Sequence, residues 1–455
     1  MRTIFITSFH PHISRNIFGT DVLSLLVQSG NIRIVLLVPL YKVDYFRERF
    51  SGSHIIVEGI KTYQSSKKFL GIFFKRLGVF LFNTKTASIK RGYEYYWNGN
   101  LLRYAAAVSF AFLGRSHSVR RAVRTLDAWF CPHGFFTDVI EKYHPDIIFS
   151  TDPQNENDVS LLHDARRNHI PVIAMLRSWD NVTQRILRVL PDRLLVGSDT
   201  LKSGVIDLYD YPGEKITIVG NPHYDRYLKG PDRTRAQFFG DLGLDPDKKL
   251  ILYAPVGDML IRTNDIDQYV MEIFGTVDAN ILVRFPPDEN VRLVDFVKPA
   301  HMIFDRPGQR FKPSEFADRE IRPEDDQRLI NSLYYSDLVI TGPTSISLDA
   351  AFFDKPVITV DLYPTVRRSM YEGVWSYGCD HIQKLFTTHG VRHVTTKEDF
   401  LKAIHEYLIN PRADQEGRAR IRELWFFRFD GKAGQRMAQE LIAFLNTRGI
   451  RKVLS

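Results

Sequence analysis

The hydrophobic positions of this chain fall into two series of short, unbroken apolar runs separated by amphipathic stretches. In the first sixty residues, Thr3–Ser8, Ile32–Val38 and His54–Ile60 read as strands. Phe18–Gln28, stopped by Gly30, and Tyr41–Phe50 read as helices. A run such as Ile34–Val38, with no polar alternation, suits a parallel strand buried on both faces under crossover helices. The rhythm resumes with strands at Asp146–Ser150, Val172–Leu176, Arg193–Gly197 and Ile216–Val219, and helices at Asp158–Asn168 and Leu201–Asp210. Pro222–Asp247, with Gly230, Pro231 and Pro246, reads as a polar connector. The second series has strands at Leu250–Ala254, Ile281–Phe285, Leu338–Thr341 and Val357–Val360, a helix at Glu324–Tyr335, and a closing helix, Lys432–Thr447.

The predicted fold class is therefore α/β, with two Rossmann-like domains at 1–228 and 229–430 and a terminal helical segment at 431–455. The chain has 455 residues, more than one hydrophobic core ordinarily serves. The opening MRTIFITSFHPH lacks the charged, apolar and small-residue regions of a secretory signal. No stretch offers the roughly 18 uninterrupted apolar residues of a membrane span. Cys131 and Cys379 stand far apart without metal-ligand spacing, so neither a disulfide nor structural zinc is expected and a cytoplasmic home is.

Charge changes this picture in one place. The net charge is +8, yet Lys61–Thr125 holds thirteen Lys and Arg against a single acid, Glu94; that segment carries +12 and the rest −4. The region of about 61–132 also breaks the strand–helix rhythm and reads as a helical, basic, aromatic insertion in the first domain. In Ser66–Phe82, Lys68, Gly71, Lys75 and Gly78 recur near a 3.5-residue period and leave the remaining surface apolar. Three uses stay open: a membrane-surface helix, a subdomain packing its aromatics internally, and a groove for an anionic acceptor. Positive charge confined to one aromatic insertion without a recognition motif argues against a nucleic-acid partner.

The strongest chemical pattern is SDLVITGPTSISLDAAFFDKPVITVDLYP, Ser336–Pro364. A buried strand runs into Gly342-Pro343 and then Thr344-Ser345, a good N-cap pair. Open α/β sheets bind ligands beyond the carboxyl ends of their strands, and a helix N-terminus there offers N–H donors to phosphate. Ser345 and Ser347 add hydroxyls, and Asp349 lies one turn inside, within reach of a ribose. The bland alternative is an ordinary capped crossover helix.

Ser345–Ile358 resembles the donor-binding helix of GT-B glycosyltransferases, two Rossmann-like domains facing a cleft. Asp349 stands at the family's ribose-binding acid, and Asp354 replaces its usual glycine. Arg177–Tyr227, closing on Gly-Asn-Pro-x-x-Asp, is similar to the domain junction of CDP-glycerol-type polymer transferases and of UDP-sugar 2-epimerases. Phe429–Leu445 is similar to the terminal helix that crosses back onto the first domain in this group. The resemblance implies an acceptor domain first and a nucleotide-donor domain second.

Other candidates come from strand ends. In RSWDN, Arg177–Asn181, Asp180 is the first candidate for a general base within reach of an acceptor hydroxyl. Arg177, Trp179 and Asn181 would line the acceptor site, although Asp180 could equally cap a turn. Asp152 and Glu156 follow one strand, and His10, His12 and Arg15 follow another; His12 and Asp152 are further catalytic candidates, and His10, Arg15 and Glu156 acceptor contacts. Arg284 could pair with a diphosphate, and Asn221 and His223 could contact donor phosphate or shape the hinge. No metal site and no cofactor are expected beyond a nucleotide-sugar co-substrate. These readings lead to a metal-independent glycosyltransferase acting on a cell-surface glycan or lipid-linked acceptor, cytoplasmic or peripheral on the inner face of the membrane. The alternatives are a CDP-alditol glycerol- or ribitol-phosphotransferase, a UDP-sugar 2-epimerase, and a non-catalytic nucleotide-sugar-binding protein.

Overall fold

A computed structural model describes residues 1–63, 69–287, 290–311 and 319–453. Of the periodic segment Ser66–Phe82, residues 66–68 lie outside those described. The chain divides into two compact units, Met1–Leu228 with Phe426–Ser455, and Lys229–Trp425.

The first unit is built on seven parallel strands: β1 (Arg2–Thr7), β2 (Ile32–Pro39), β3 (Ile55–Ile60), β4 (Ile147–Ser150), β5 (Val172–Met175), β6 (Arg193–Val196) and β7 (Ile216–Ile218). Their order is β3-β2-β1-β4-β5-β6-β7, so the direction of winding reverses between β1 and β4. That reversal opens a crevice at the carboxyl edge, where open sheets of this kind hold ligands. Helices α1 (Val22–Gln28) and α2 (Val43–Phe50) follow β1 and β2. The expected helix from Phe18 starts later, because Ser14–Phe18 forms a separate π-helical turn.

The insertion is helical: α3 (Phe69–Phe80), α4 (Lys85–Asn98), α5 (Leu101–Leu113) and α6 (His117–Phe130). Phe74, Leu77 and Phe82 pack inward against Leu187, Val196 and Tyr209. Internal packing therefore accounts for part of its aromatic content. Phe69, Leu102, Phe112 and Trp129 stay well exposed. No helix among the described residues is long and apolar enough to cross a membrane. After α7 (Thr137–Tyr143), α8 (Glu156–Arg167) and α9 (Asp199–Tyr209) cover the sheet, and α10 (His223–Lys229) begins right after the Gly220–Pro222 turn.

The second unit has six parallel strands in the order β10-β9-β8-β13-β14-β15. They are β8 (Leu250–Ala254), β9 (Asn280–Arg284), β10 (Met302–Asp305), β13 (Leu338–Thr341), β14 (Val357–Val360) and β15 (Arg392–Val394); β11 (Gln309–Arg310) and β12 (Arg319–Glu320) pair apart as a small antiparallel ladder. Here winding reverses between β8 and β13. The helices are α11 (Arg235–Leu242), α12 (Ile266–Ile273), α13 (Pro323–Tyr335), α14 (Ile346–Phe352), α15 (Asp380–Phe386), α16 (Lys397–Ile409) and α17 (Gln415–Trp425). The stretch 222–247, expected as a connector, instead carries α10 and α11. A Thr234/Gln237 capping box starts α11 by satisfying its first N–H groups.

The closing helix α18 (Ala433–Val453) packs on α1 within the first unit. Asp225, the last residue of the Gly-Asn-Pro-x-x-Asp motif, accepts from Ala433 N (3.1 Å) and Gly434 N (2.8 Å). The motif's acid thus caps α18, where the helix dipole favours a carboxylate.

Candidate functional site

In the first unit, the loops after β1, β4, β5 and β7 converge at the carboxyl edge. They form a small open pocket lined in part by Asn16, Ile17, Thr151, Arg177, Asn221 and His223. The π-helical turn Ser14–Phe18 sets one wall; such turns recur at functional sites because they re-aim side chains that a regular helix would bury. Asn221 reaches the pocket by crossing the end of β6, where a Cβ on Gly197 would lie 2.7 Å from its Oδ1. Glycine at 197 is what lets that amide pass.

His223 is the central finding. Its side chain is buried, 6% exposed, and neither ring nitrogen has a hydrogen-bond partner among the described residues. Burial foremost, then the positive charges of Arg15, His12 and Arg226, holds its pKa well below the ordinary histidine value. It is therefore a neutral imidazole at neutral pH, with one nitrogen able to accept a proton. Unsatisfied buried polar atoms are few in folded proteins, and an imidazole at a pocket wall is placed to be satisfied by a ligand.

Behind the pocket, at the reversal point, two carboxylates sit close to the sheet. Asp152 Oδ2 accepts from Arg177 Nε at 3.0 Å. Asp158 is fully buried and accepts from Thr7 Oγ1 and Ser150 Oγ, both at 2.6 Å. Burial, with a smaller push from Asp152, raises its pKa to about 7. Sequence reasoning placed Asp158 only at a helix start; its burial depends on Thr7, some 150 residues away.

The RSWDN loop does not act as one unit. Arg177 joins the pocket, whereas buried Asn181 ties the loop by accepting from Ser178 N (2.7 Å) and donating to Gln154 Oε1 (3.3 Å). Asp180 is bound by the Gln184 side-chain amide and is not among the pocket residues, and Trp179 is half-buried. His10 and His12 stack with ring centroids 5.1 Å apart, and Arg15 Nε donates to Asn16 Oδ1 at 3.1 Å. Glu156, expected at the acceptor, pairs instead with Arg188 Nη1 at 2.9 Å.

That last contact belongs to a buried network. Arg188 donates to both oxygens of Asp127 at 2.8 Å and to Cys131 Sγ at 3.2 Å. Asp127, Cys131 and His163 place ligand atoms within 4.8 Å of one another. The guanidinium already occupies the faces a cation would need, and burial pushes the Cys131 thiol up to about 11. The cluster fits an ion-pair network joining α6 to α8 and does not fit a metal.

In the second unit, Gly342 follows β13 at the reversal point, and a Cβ there would lie 2.7 Å from Val256 Cγ2. Glycine lets the two central loops touch. The β8 loop is pinned by Asp267, whose buried carboxylate accepts from Val256 N (2.7 Å), Gly257 N (3.0 Å), Tyr253 OH (2.7 Å) and Asn264 Nδ2 (2.7 Å). Thr344 pairs with Thr341 through their hydroxyls at 2.9 Å. Ser345 is exposed and makes no capping bond, contrary to the N-cap expected of it; its own backbone is already helical, which turns the hydroxyl away. The buried Ser347 hydroxyl has no hydrogen-bond partner among the described residues, and Asp349 lies buried one turn inside α14.

Two residues take different roles from those expected. Arg284 is 7% exposed, ion-paired with Asp305, and donates from Nη2 to Asp325 O at 2.7 Å. Its fork is filled internally, so it is not a free diphosphate ligand. Asp354 adopts a left-handed backbone (φ 55), the conformation that usually calls for glycine. Its carboxylate accepts from Arg418 Nε (2.9 Å), Arg422 Nη1 (3.1 Å) and Gln415 Nε2 (2.6 Å). The departure from the GT-B pattern thereby fastens α17 to the α14–β14 turn.

Two parallel sheets, each with polar loops at its winding reversal, make this an α/β protein of two Rossmann-like units. The sequence model of the CDP-glycerol:poly(glycerophosphate) glycerophosphotransferase family matches residues 174–443, more than half of the chain. The chain belongs to that family. No curated protein matches it. Among solved structures, it is similar to the UDP-GlcNAc 2-epimerase of Neisseria meningitidis bound to UDP-GlcNAc (13% identity, TM-score 0.57, 97% of this chain and 100% of that one). It is also similar to the UDP-GlcNAc 2-epimerase of Methanocaldococcus jannaschii in complex with UDP-GlcNAc and UDP (14% identity, TM-score 0.52, 97% of this chain and 100% of that one). A third is the sucrose-phosphate synthase of Thermosynechococcus elongatus (10%, 0.50, 98% and 100%). At these identities the likeness shows the fold shared over the whole chain.

Proposed function

We propose that this protein transfers a polyol phosphate, with glycerol phosphate the first candidate, from a CDP-activated donor to an acceptor hydroxyl. The observation that carries the reading is the family match over 174–443, which runs through both Arg177–His223 and Gly342–Asp349. It moves the transferred group from the sugar expected of the fold to a phosphate ester.

On this reading, the acceptor oxygen attacks the phosphorus that bears glycerol. A new P–O bond forms, the bond to the bridging oxygen breaks, and CMP leaves with that electron pair. The acceptor proton goes to His223, whose neutral, unpartnered imidazole suits a general base better than Asp180, already bound by Gln184. Arg15 and Arg177 supply positive charge near the reacting oxygens, so we assign no divalent ion to the step. Asn221 orients the acceptor beside His223. In the second unit, Thr344, Ser345, Ser347 and Asp349 hold the donor, with Gly342 keeping the loops close enough to do so. The acceptor is a surface polymer or a lipid-linked glycan, reached from the cytoplasmic face of the membrane.

The test is a thermal-shift panel of CDP-glycerol, CDP, CMP, UDP, GDP and UDP-sugars, followed by kinetics of His223→Gln. Cytidine ligands should stabilise the protein most. His223→Gln should lower kcat by about 10²–10⁴-fold with donor stabilisation retained, the range for loss of a general base. The wild-type rate should hold through pH 6.5 and fall only in more acid solution, as His223 takes up its proton. Stabilisation by UDP-sugars alone would favour sugar transfer, and turnover of a UDP-sugar without acceptor would favour epimerisation.

A further inference from the structure

The turn between α3 and α4 is bonded to the loop that follows β5, just beyond RSWDN. Gly78 O, in α3, accepts from Ile186 N at 3.1 Å. Thr84, the N-cap of α4, accepts from Ala87 N at 3.1 Å and donates its hydroxyl proton to Thr183 O at 2.6 Å. Thr86 Oγ1 donates to Thr183 Oγ1 at 3.3 Å, and Lys90 Nζ donates to Gln184 Oε1 at 3.0 Å. The turn that supplies these contacts is itself fixed. Buried Arg91 donates from Nη1 to Phe82 O at 2.9 Å. Gly114, at the end of α5, closes on Leu81 so tightly that a Cβ there would stand 1.9 Å from the Leu81 carbonyl oxygen.

From Thr183 and Gln184 the contacts pass to the pocket through a short series of hydrogen bonds. An ammonium group only donates, so Lys90 turns the Gln184 amide with its oxygen toward the lysine and its NH₂ toward the Asp180 carboxylate, which accepts it. Thr183 Oγ1 donates to Asp180 O at 3.2 Å. Residues 178–181 form a tight turn, with Asn181 N donating to Ser178 O (3.2 Å) and Ser178 N to Asn181 Oδ1 (2.7 Å). Arg177 comes next; it lines the pocket with His223 and is held from the other side by Asp152. Apolar packing of Phe74, Leu77 and Phe82 already seats the insertion on the first unit. What Thr84, Thr86 and Lys90 add is a fixed direction for the loop. Each such bond contributes little to stability, whereas a misplacement of about 1 Å at a reacting group can cost about 10²-fold in rate.

We propose that Thr84 and Lys90 are positioning residues for the transfer reaction. Acting through Thr183 and Gln184, they hold the 178–184 turn so that Arg177 stands at the pocket it shares with His223. The assignment rests on the proposed transfer for its kinetic assay, and on hydrogen bonds within the first unit for its geometry.

The test compares the full-length wild type with Lys90→Met and Thr84→Val, and with Lys90→Arg and Thr84→Ser, which keep the donor groups. With CDP-glycerol and a glycerophosphate-polymer acceptor, the first pair should lower kcat/KM for the acceptor by about ten- to hundredfold. KM for CDP-glycerol and its thermal shift should be unchanged, and the conservative pair should restore most of the rate. A contact that served folding alone would show neither this split nor the rescue. Hydrogen exchange of the 178–184 amides, followed by mass spectrometry without substrate, is the second readout. It should quicken by about fivefold or more in the first pair, the scale of one lost hydrogen bond, while α5 and α6 keep their protection. If Thr84→Val fails to fold for want of its N-cap, Lys90→Met reads the same series of bonds. A wild type that does not turn over CDP-glycerol defeats the transfer reading alone, because exchange still decides this one. The positioning assignment is overturned if Lys90→Met keeps the wild-type kcat/KM for acceptor or the wild-type loop exchange. It is also overturned if the loss extends to donor KM or is not rescued by Lys90→Arg.

Discussion

Replacing Asp158 by asparagine should stabilise the first unit above neutral pH, although it removes a buried carboxylate with two hydrogen bonds. Both bonds, from Thr7 and Ser150, arrive at Oδ1, and Oδ2 has no partner among the described residues. An asparagine oxygen can accept the same two bonds. What changes is the charge. The folded pKa is raised to about 7 from 3.8, chiefly by burial, so the native state holds this proton more tightly than the unfolded chain does. The contribution is fully present below about pH 4 and is lost as pH rises through about 7. The gap spans about three pH decades at about 1.4 kcal/mol each, or about 4 kcal/mol. Denaturant titrations at pH 5 and pH 8, read with a first-unit probe, would show the wild type weakening with pH and Asp158→Asn changing little. At pH 8 the variant should be the more stable by about 2–4 kcal/mol. A variant less stable than wild type at pH 8 would mean that the ionised carboxylate is solvated or paired, and the reasoning would fail.

Two further substitutions separate buried networks from sites. Asp127→Ala should destabilise by about 3–5 kcal/mol, because it leaves Arg188 buried against only Glu156 and Cys131; an effect below about 1 kcal/mol in a urea titration would show the network to be wet. Asp267→Ala should cost about 3 kcal/mol by orphaning the Val256 and Gly257 N–H groups, each worth about 1–3 kcal/mol. It should also weaken CDP-glycerol stabilisation, since the β8 loop loses its anchor; stability lost with donor binding intact would confine Asp267 to folding.

The sheets were the most legible part of the sequence. Buried central strands such as Leu338–Thr341 and Val357–Val360 are unbroken apolar runs, and tertiary context only confirms them. The two edge strands of the second sheet escaped notice for the opposite reason. Met302–Asp305 is only half buried, and Arg392–Val394 has three residues, two of them polar, so neither carries a period. The helices at His223–Lys229 and Arg235–Leu242 were hidden by charge, although Thr234 and Gln237 spell a capping box.

The site was legible in outline and not in detail. Strand-end topology pointed to the loops that hold Arg15, Arg177, Asn221 and His223. It could not show that Asp305 fills the fork of Arg284, or that Gln184 claims Asp180. Nor could it show His223 isolated among positive charges, because Arg15 and His12 lie two hundred residues away in the chain. Asp354 read as a flaw in a family pattern until α17 was seen to supply Arg418 and Arg422 as its partners.

The central claim is the identity of the group transferred. ³¹P NMR of the purified protein with CDP-glycerol and a glycerophosphate-polymer acceptor measures it directly. The account predicts CMP and a new phosphodiester appearing together, at a rate that His223→Gln lowers by about 10²–10⁴-fold. Inert CDP-glycerol, with a nucleoside diphosphate released instead from a nucleotide sugar, would contradict it.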